Sequence, residues 1–146
     1  MPIRNLIIIV FSLVISLIDT KIYKIPNILL FSCLICLIFA DIYARMGVDF
    51  YLKRTSIAFF WFAVFYMVFR LSGGLGFGDV KFAFVLGYAL GAEKSITAFI
   101  FMGIGAIFVY AIGVIVFKWN KSAKLPFAPF MSFGVIVAEF FKISIL

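Results

Sequence analysis

Two aspartates, Asp19 and Asp79, stand where a carboxylate can do chemistry in an otherwise apolar chain. Asp19 closes the first apolar run and leads through Lys21-Ile22-Tyr23-Lys24-Ile25 to Pro26-Asn27. Asp79 ends the glycine-rich stretch Gly73-Gly74-Leu75-Gly76-Phe77-Gly78 and is followed by Val80-Lys81 at the start of another apolar run. Among the six acidic residues, these two alone sit directly between an apolar run and a turn segment containing Gly or Pro. An ionisable group at the end of a membrane span is costly to keep there and is a functional-site candidate by default. Two carboxylates held close together in a partly desolvated site cannot both ionise cheaply, so they share a proton. One can then act as general base toward water while the other acts as general acid toward a carbonyl, with no metal and no nucleophilic side chain. The chain has no histidine, which removes the Ser-His and Cys-His arrangements.

The elements that must position this pair are membrane helices. With 66% hydrophobic, 20% aromatic and 13% charged residues, the chain lies far above the roughly 45–50% apolar content of soluble domains. It reads as an integral membrane protein, all-α, a polytopic bundle of about six transmembrane helices. The formal net charge of +7 comes from thirteen Lys and Arg scattered between apolar runs. Basic residues flanking membrane spans explain that balance better than a nucleic-acid-binding face does. Cys33 and Cys36 form a C-x-x-C, but they lie inside an apolar run with no second pair. A tetrahedral zinc site is therefore not on offer, and no metal or other cofactor is expected. Arg4 followed by an apolar run mimics a secretory signal. Small residues of the cleavage-site type are missing after it, so the segment is expected to be retained as a helix.

Apolar runs cover residues 3–18, 28–40, 57–69, 80–90, 96–117 and 125–141. The second must extend through Asp41 and Tyr43 to reach the roughly 20 residues of a span. Connections are expected at 20–27, 47–54, 71–78, 91–95 and 118–124, all short as in helical bundles. Parity then places the two aspartates together. Asp19 ends the first helix, two more crossings return the chain to the same face, and Asp79 begins the fourth helix there. The fourth run has eleven residues, about 17 Å of helix against a hydrocarbon core of about 30 Å. Asp79 is accordingly expected below the membrane surface, next to a wet cavity that tolerates irregular backbone. Gly76 or Gly78 is expected to take a positive φ or to touch a neighbouring helix.

Charge says little about orientation: seven basic residues fall on the carboxylate face and six on the other. Lys118, Lys121 and Lys124 are the best cue that this face is cytoplasmic. Gly74-x-Gly76-x-Gly78 lacks the following Gly-Lys-Ser/Thr of a phosphate loop. On spacing and parity alone, three alternatives stand level: a protease, an ion or proton pathway using the same aspartates, and glycines that merely ease helix packing.

Asp19 with Lys24-Ile25-Pro26-Asn27, and Gly76-Phe77-Gly78-Asp79-Val80-Lys81 about sixty residues on, resemble the two signature motifs of the type IV prepilin peptidases, the GxGD class of intramembrane aspartic proteases. Lys124-Leu125-Pro126-Phe127-Ala128-Pro129-Phe130 is similar to the Pro-x-x-Pro segment opening that family's last helix. The resemblance implies that residues 1–146 form a single transmembrane peptidase domain with Asp19 and Asp79 catalytic. Lys21, Lys24, Pro26, Asn27, Gly76, Gly78 and Lys81 would bind substrate or support the pair. Interfacial snorkelling of the lysines and helix punctuation by Pro26-Asn27 explain those residues about as well. It further implies a multi-pass protein of a prokaryotic cytoplasmic membrane, with its site facing the cytoplasm. That site would cleave short basic leaders from pilin-like precursors at a glycine bond. The partners implied are those precursors and the lipid bilayer, with no nucleic acid. Members that also methylate the new N-terminus carry two C-x-x-C pairs in an N-terminal region. Cys33 and Cys36 are not placed like those, so the resemblance is to the short, peptidase-only form, without zinc or methyl transfer.

Overall fold

The structure, a computed structural model, describes residues 3–72, 74–115, 118 and 126–140. They form five helices, α1 (Ile3–Ile22), α2 (Asn27–Tyr43), α3 (Val48–Ser72), α4 (Phe77–Ile115) and α5 (Ala128–Phe140). No strand occurs among the described residues. α1, α3 and α4 are long and apolar enough to cross a membrane. α2, with 17 residues, and α5, with 13, are shorter than the roughly 20-residue span.

The connection expected at 91–95 shrinks to one residue. Gly91 takes φ 75° and ψ −172°, while the chain on either side stays helical. α4 is therefore two helical arms, 77–90 and 92–115, so with α1, α2, α3 and α5 the described residues hold six helical segments in the order of the six apolar runs. α3 begins at Val48, inside the connection expected at 47–54. Asp49 stands in its first turn, where a carboxylate suits the positive end of the helix. Arg54 turns inward to donate to the Ala89 carbonyl at 2.9 Å, so a charge that looked like a loop residue is part of the packing. α2 does run to Tyr43 and carries Asp41, as its length required. Of the connection expected at 118–124, only Lys118 falls among the described residues. Gly73, Lys121, Lys124, Leu125 and residue 141 lie outside them.

The first arm of α4 is the centre of the molecule. Val80, Phe82, Ala83, Val85, Leu86 and Tyr88 to Leu90 are buried around most of it, with Lys81 and Phe84 half-buried, as expected of a helix with apolar residues on nearly every face. That explains a run too short for an ordinary span: it is covered by protein rather than by lipid. α4 packs on α3 and α5, α5 on α1, α1 on α2, and α2 on α4, whereas α2 and α3 do not touch.

A polar network closes the far end of this arm. Arg4 pairs with Asp41 and donates to the carbonyls of Ala89 at 3.0 Å and Tyr88 at 2.7 Å. The Tyr88 hydroxyl donates to Asp41 at 3.0 Å. Glu139 accepts from Lys94 at 2.7 Å and from Asn5. The last carbonyls of a helix lack intrahelical donors, and here two guanidiniums supply them at the break. A Cβ at Gly91 would sit 2.7 Å from Arg54 Cζ, at a φ that disfavours any other residue. Gly91→Ala should lower thermal stability in detergent by about 1 kcal/mol or more. In an Arg54→Ala background the added cost should shrink to the backbone component alone. Equal costs in the two backgrounds would show that the guanidinium is not what fills the break.

Candidate active site

Asp19 ends the buried stripe of α1. Ile8, Ser12, Ile15 and Asp19 recur at helical spacing on the face turned inward, and Asp19 is only 5% exposed. Its Oδ2 accepts from the Ala128 N–H at 3.2 Å. The local sequence of α5 explains why that donor is free. The first N–H groups of a helix have no partner within it, and Pro126 and Pro129 have none to offer. The Phe127 carbonyl meanwhile takes the Phe130 and Met131 N–H groups at 3.1 Å each. Asp19 thus lies at the positive end of α5, where a carboxylate is favoured. α1 stops just beyond it with Tyr23 at φ 51°, whose N–H donates to the Asp19 carbonyl at 2.8 Å.

Asp79 is the third residue of α4 and 8% exposed. Its Oδ2 accepts from the Gly76 N–H at 3.1 Å, and its own N–H donates to the Gly76 carbonyl at 3.1 Å. The side-chain bond is the half of a capping box that a carboxylate at the third helical position supplies, and the backbone bond closes the turn beneath it. Among the described residues, each aspartate is thus held by Oδ2 alone. No described group donates to either Oδ1, and neither Oδ1 is sealed from its surroundings. The two carboxylates lie within electrostatic reach of one another, with no hydrogen bond joining them.

The start of α4 is fastened to the α1–α2 connection. A Cβ at Gly78 would stand 3.1 Å from Ile25 Cβ, and Lys81 Nζ donates to Asn27 Oδ1 at 3.0 Å. Lys81 also lies over the Phe77 ring at 5.0 Å. The chain therefore brings Asp19, Ile25, Asn27, Gly76, Gly78, Asp79, Lys81 and Ala128 to one end of the bundle, as parity requires. Pro26 is the N-cap residue of α2. Lys21 and Lys24 are exposed near this end and donate no hydrogen bond among the described residues. Neither Gly76 nor Gly78 has a positive φ. The contact at Gly78 is with the connection rather than with a helix. The expected C-x-x-C lies within α2, with Cys33 in the core and both thiols free.

Ala128 and Ile25 lie inside the family-like motifs, but their roles were not readable there, since a backbone donor and an aliphatic contact leave no chemical signature. Asp41 and Arg4 did leave one. Leu30, Cys33, Leu37 and Asp41 repeat at helical spacing on the buried face of α2, and Arg4 precedes the α1 stripe by one turn.

A methyl group at Gly78 would press on Ile25 and tilt the turn that carries Asp79. A displacement of about 1 Å in a catalytic group can cost on the order of a hundredfold in rate. Gly78→Ala should therefore lower activity at least tenfold more than it lowers the amount of inserted protein. Parallel loss of both would mean that this glycine serves packing only.

The sequence matches the type IV leader peptidase family over residues 6–115. That stretch is most of the chain and includes both aspartates, and the protein belongs to this family. Over 75 residues it is 39% identical to the prepilin leader peptidase/N-methyltransferase of Bacillus subtilis (strain 168), covering 51% of this chain and 30% of that relative. The matched part is therefore under a third of the relative's length. No solved structure matches. Neither match favours an ion pathway.

Proposed function

We propose that the protein is an intramembrane aspartic endopeptidase that removes short basic leaders from pilin-like precursors, with Asp19 and Asp79 as its catalytic pair. The observation that carries this is the arrangement of the carboxylates. Each spends one oxygen on a backbone N–H that fixes it, and at the same end of the bundle each has its other oxygen without a donor among the described residues. Membership of the type IV leader peptidase family supports it.

In the reaction, a water lies between the two free oxygens. The ionised carboxylate takes a proton from it as the water oxygen attacks the scissile carbonyl carbon, and the protonated carboxyl gives its proton to the carbonyl oxygen. The tetrahedral diol then collapses: the carboxylate that gave up its proton takes one back from a diol hydroxyl, the C–N bond breaks, and the amine leaves with the proton the base had taken, so both carboxyls return to their starting states. The Ala128 and Gly76 N–H groups hold the carboxylates without joining the proton transfers. The exposed Lys21 and Lys24 support a cytoplasmic headgroup setting for this end of the bundle, and the length and apolar character of α1, α3 and α4 support their anchoring the chain in the bilayer. Lys81, through Asn27, ties α2 to α4 beside the cut.

The test is co-expression with pilin-like precursors, scored by conversion to a shorter product whose new N-terminus is sequenced. Cleavage just after a basic leader is expected. Unprocessed precursor beside well-inserted protein would contradict the assignment.

A further inference from the structure

α1 and α5 pack against one another, and polar groups mark the seam between them at regular intervals. Asn5, Ser12 and Asp19 recur every seven residues along α1, a spacing that keeps them on one face of a helix. Each meets a polar group of α5, in antiparallel order. Asn5 donates to Glu139, the Ser12 carbonyl accepts from the Ser132 hydroxyl at 2.6 Å, and Asp19 accepts from the Ala128 N–H at 3.2 Å. Ile8 and Ile15, which lie between these rungs on α1, are buried and apolar. Apolar contacts alone leave two helices able to slide and roll on each other, whereas a buried polar contact fixes their register. The middle rung has a further feature. Ser132 is 2% exposed and stands one turn beyond Ala128, and its hydroxyl is also 2.9 Å from the Ala128 carbonyl. The hydroxyl therefore joins Ala128 to the Ser12 carbonyl, and the Ala128 N–H closes the circuit on Asp19, about two turns further along α1.

We infer that Ser132 is a positioning residue for the carboxylate pair: its hydroxyl fixes the height and rotation of α5 on α1, so that the Ala128 N–H is presented to Asp19 Oδ2. The catalytic consequence rests on the peptidase assignment above. Ser132 acts at one remove, through Ala128. The hydroxyl and the N–H belong to a single helical turn and cannot move independently, so a shift of α5 that loosens one rung loosens the other. The Ser12 side chain plays a different part. Its hydroxyl donates to the Ile9 carbonyl within α1 at 3.0 Å, and only its backbone carbonyl serves the rung. Two buried serines of one seam are thus expected to respond differently to loss of the hydroxyl, and that difference separates positioning from packing.

The experiment uses the intact protein in two settings: in liposomes with a pilin-like precursor, and in nanodiscs with isotope-labelled alanine to follow the Ala128 amide proton by NMR. Ser132→Ala should lower kcat by about tenfold or more while KM stays within about twofold, because a displaced carboxylate slows the chemical step without weakening the hold on the precursor. Ser12→Ala, which keeps the accepting carbonyl, should cost no more than about twofold in kcat, since the rung survives. The Ala128 amide proton, hydrogen-bonded to a carboxylate, should resonate downfield. It should move upfield in Ser132→Ala, as it does in Asp19→Asn, and hold its place in Ser12→Ala. Equal losses of kcat in the two serine variants, or an Ala128 signal that Ser132→Ala does not move, overturn the inference and leave the peptidase intact. Failure of the unmodified protein to cut precursor overturns the peptidase assignment and the catalytic consequence with it, and the Ala128 signal then still decides whether Ser132 holds this contact.

Discussion

Asp19→Asn and Asp79→Asn should each abolish precursor cleavage, by about a thousandfold or more, while the protein remains inserted at its normal level. Removing a positioned general acid or base typically costs on the order of a hundred to ten thousand in rate. In a pair that works as a unit, losing one member disables the other. Abundance should hold because an amide oxygen can still accept from the Ala128 N–H at position 19 and from the Gly76 N–H at position 79. The structural work is kept and the exchangeable proton is lost. Substantial cleavage by either variant would remove that residue from the mechanism. A proton flux in purified vesicles, lost in the same variants, would instead favour the ion pathway.

Gly134→Ala should have the next largest effect, and it should act on both folding and activity. A Cβ there would lie 2.9 Å from the carbonyl carbon of Ala98 and 3.3 Å from its Cα, closer still to its carbonyl oxygen. These are backbone atoms of a buried helix and cannot swing aside, so α5 must move away from α4. Overpacking of a well-packed core typically costs about 1–3 kcal/mol. The movement is also transmitted to the site, because the first N–H of α5 is the one that holds Asp19. Reduced accumulation is expected, with a further fall in cleavage per inserted molecule. Gly134→Ser should be at least as damaging. Normal accumulation and rate for Gly134→Ala would show that α4 and α5 pack less closely than described.

Much of the site was legible in the sequence because it depends on topology. Asp19 and Asp79 reach one end through parity, which requires only that the helices alternate direction. The family resemblance rested on residues around those aspartates, and the family match covers both of them. What is only faintly marked is where charge is hidden. Arg54 looked like a loop residue and is a packed donor inside α3. Asp41 looked like filler for a short span and is the buried partner of Arg4. Such roles depend on which face meets another helix, and in a chain where almost every residue is apolar the contrast that reveals a face is weak. The break in α4 was misjudged in extent for a related reason. Glu93, Lys94 and Ser95 resembled a loop, yet only Gly91 leaves the helix, because Arg4 and Arg54 satisfy the carbonyls that a longer turn would otherwise have had to accommodate.

The central claim is that Asp19 and Asp79 act on one bond as a pair, and a cross-link across the site tests it most directly. Cys33 and Cys36 are first replaced by Ala, and cysteines are introduced as Asp19→Cys with Asp79→Cys. A short bifunctional thiol reagent is then applied with and without precursor, and Asn27→Cys with Lys81→Cys serves as a positive control at the same end of the bundle. Geometry at catalytic pairs often tightens only when substrate is bound, so a cross-link between positions 19 and 79 is predicted at least in the presence of precursor. Efficient linkage of the control with none between 19 and 79 in either condition would contradict the account.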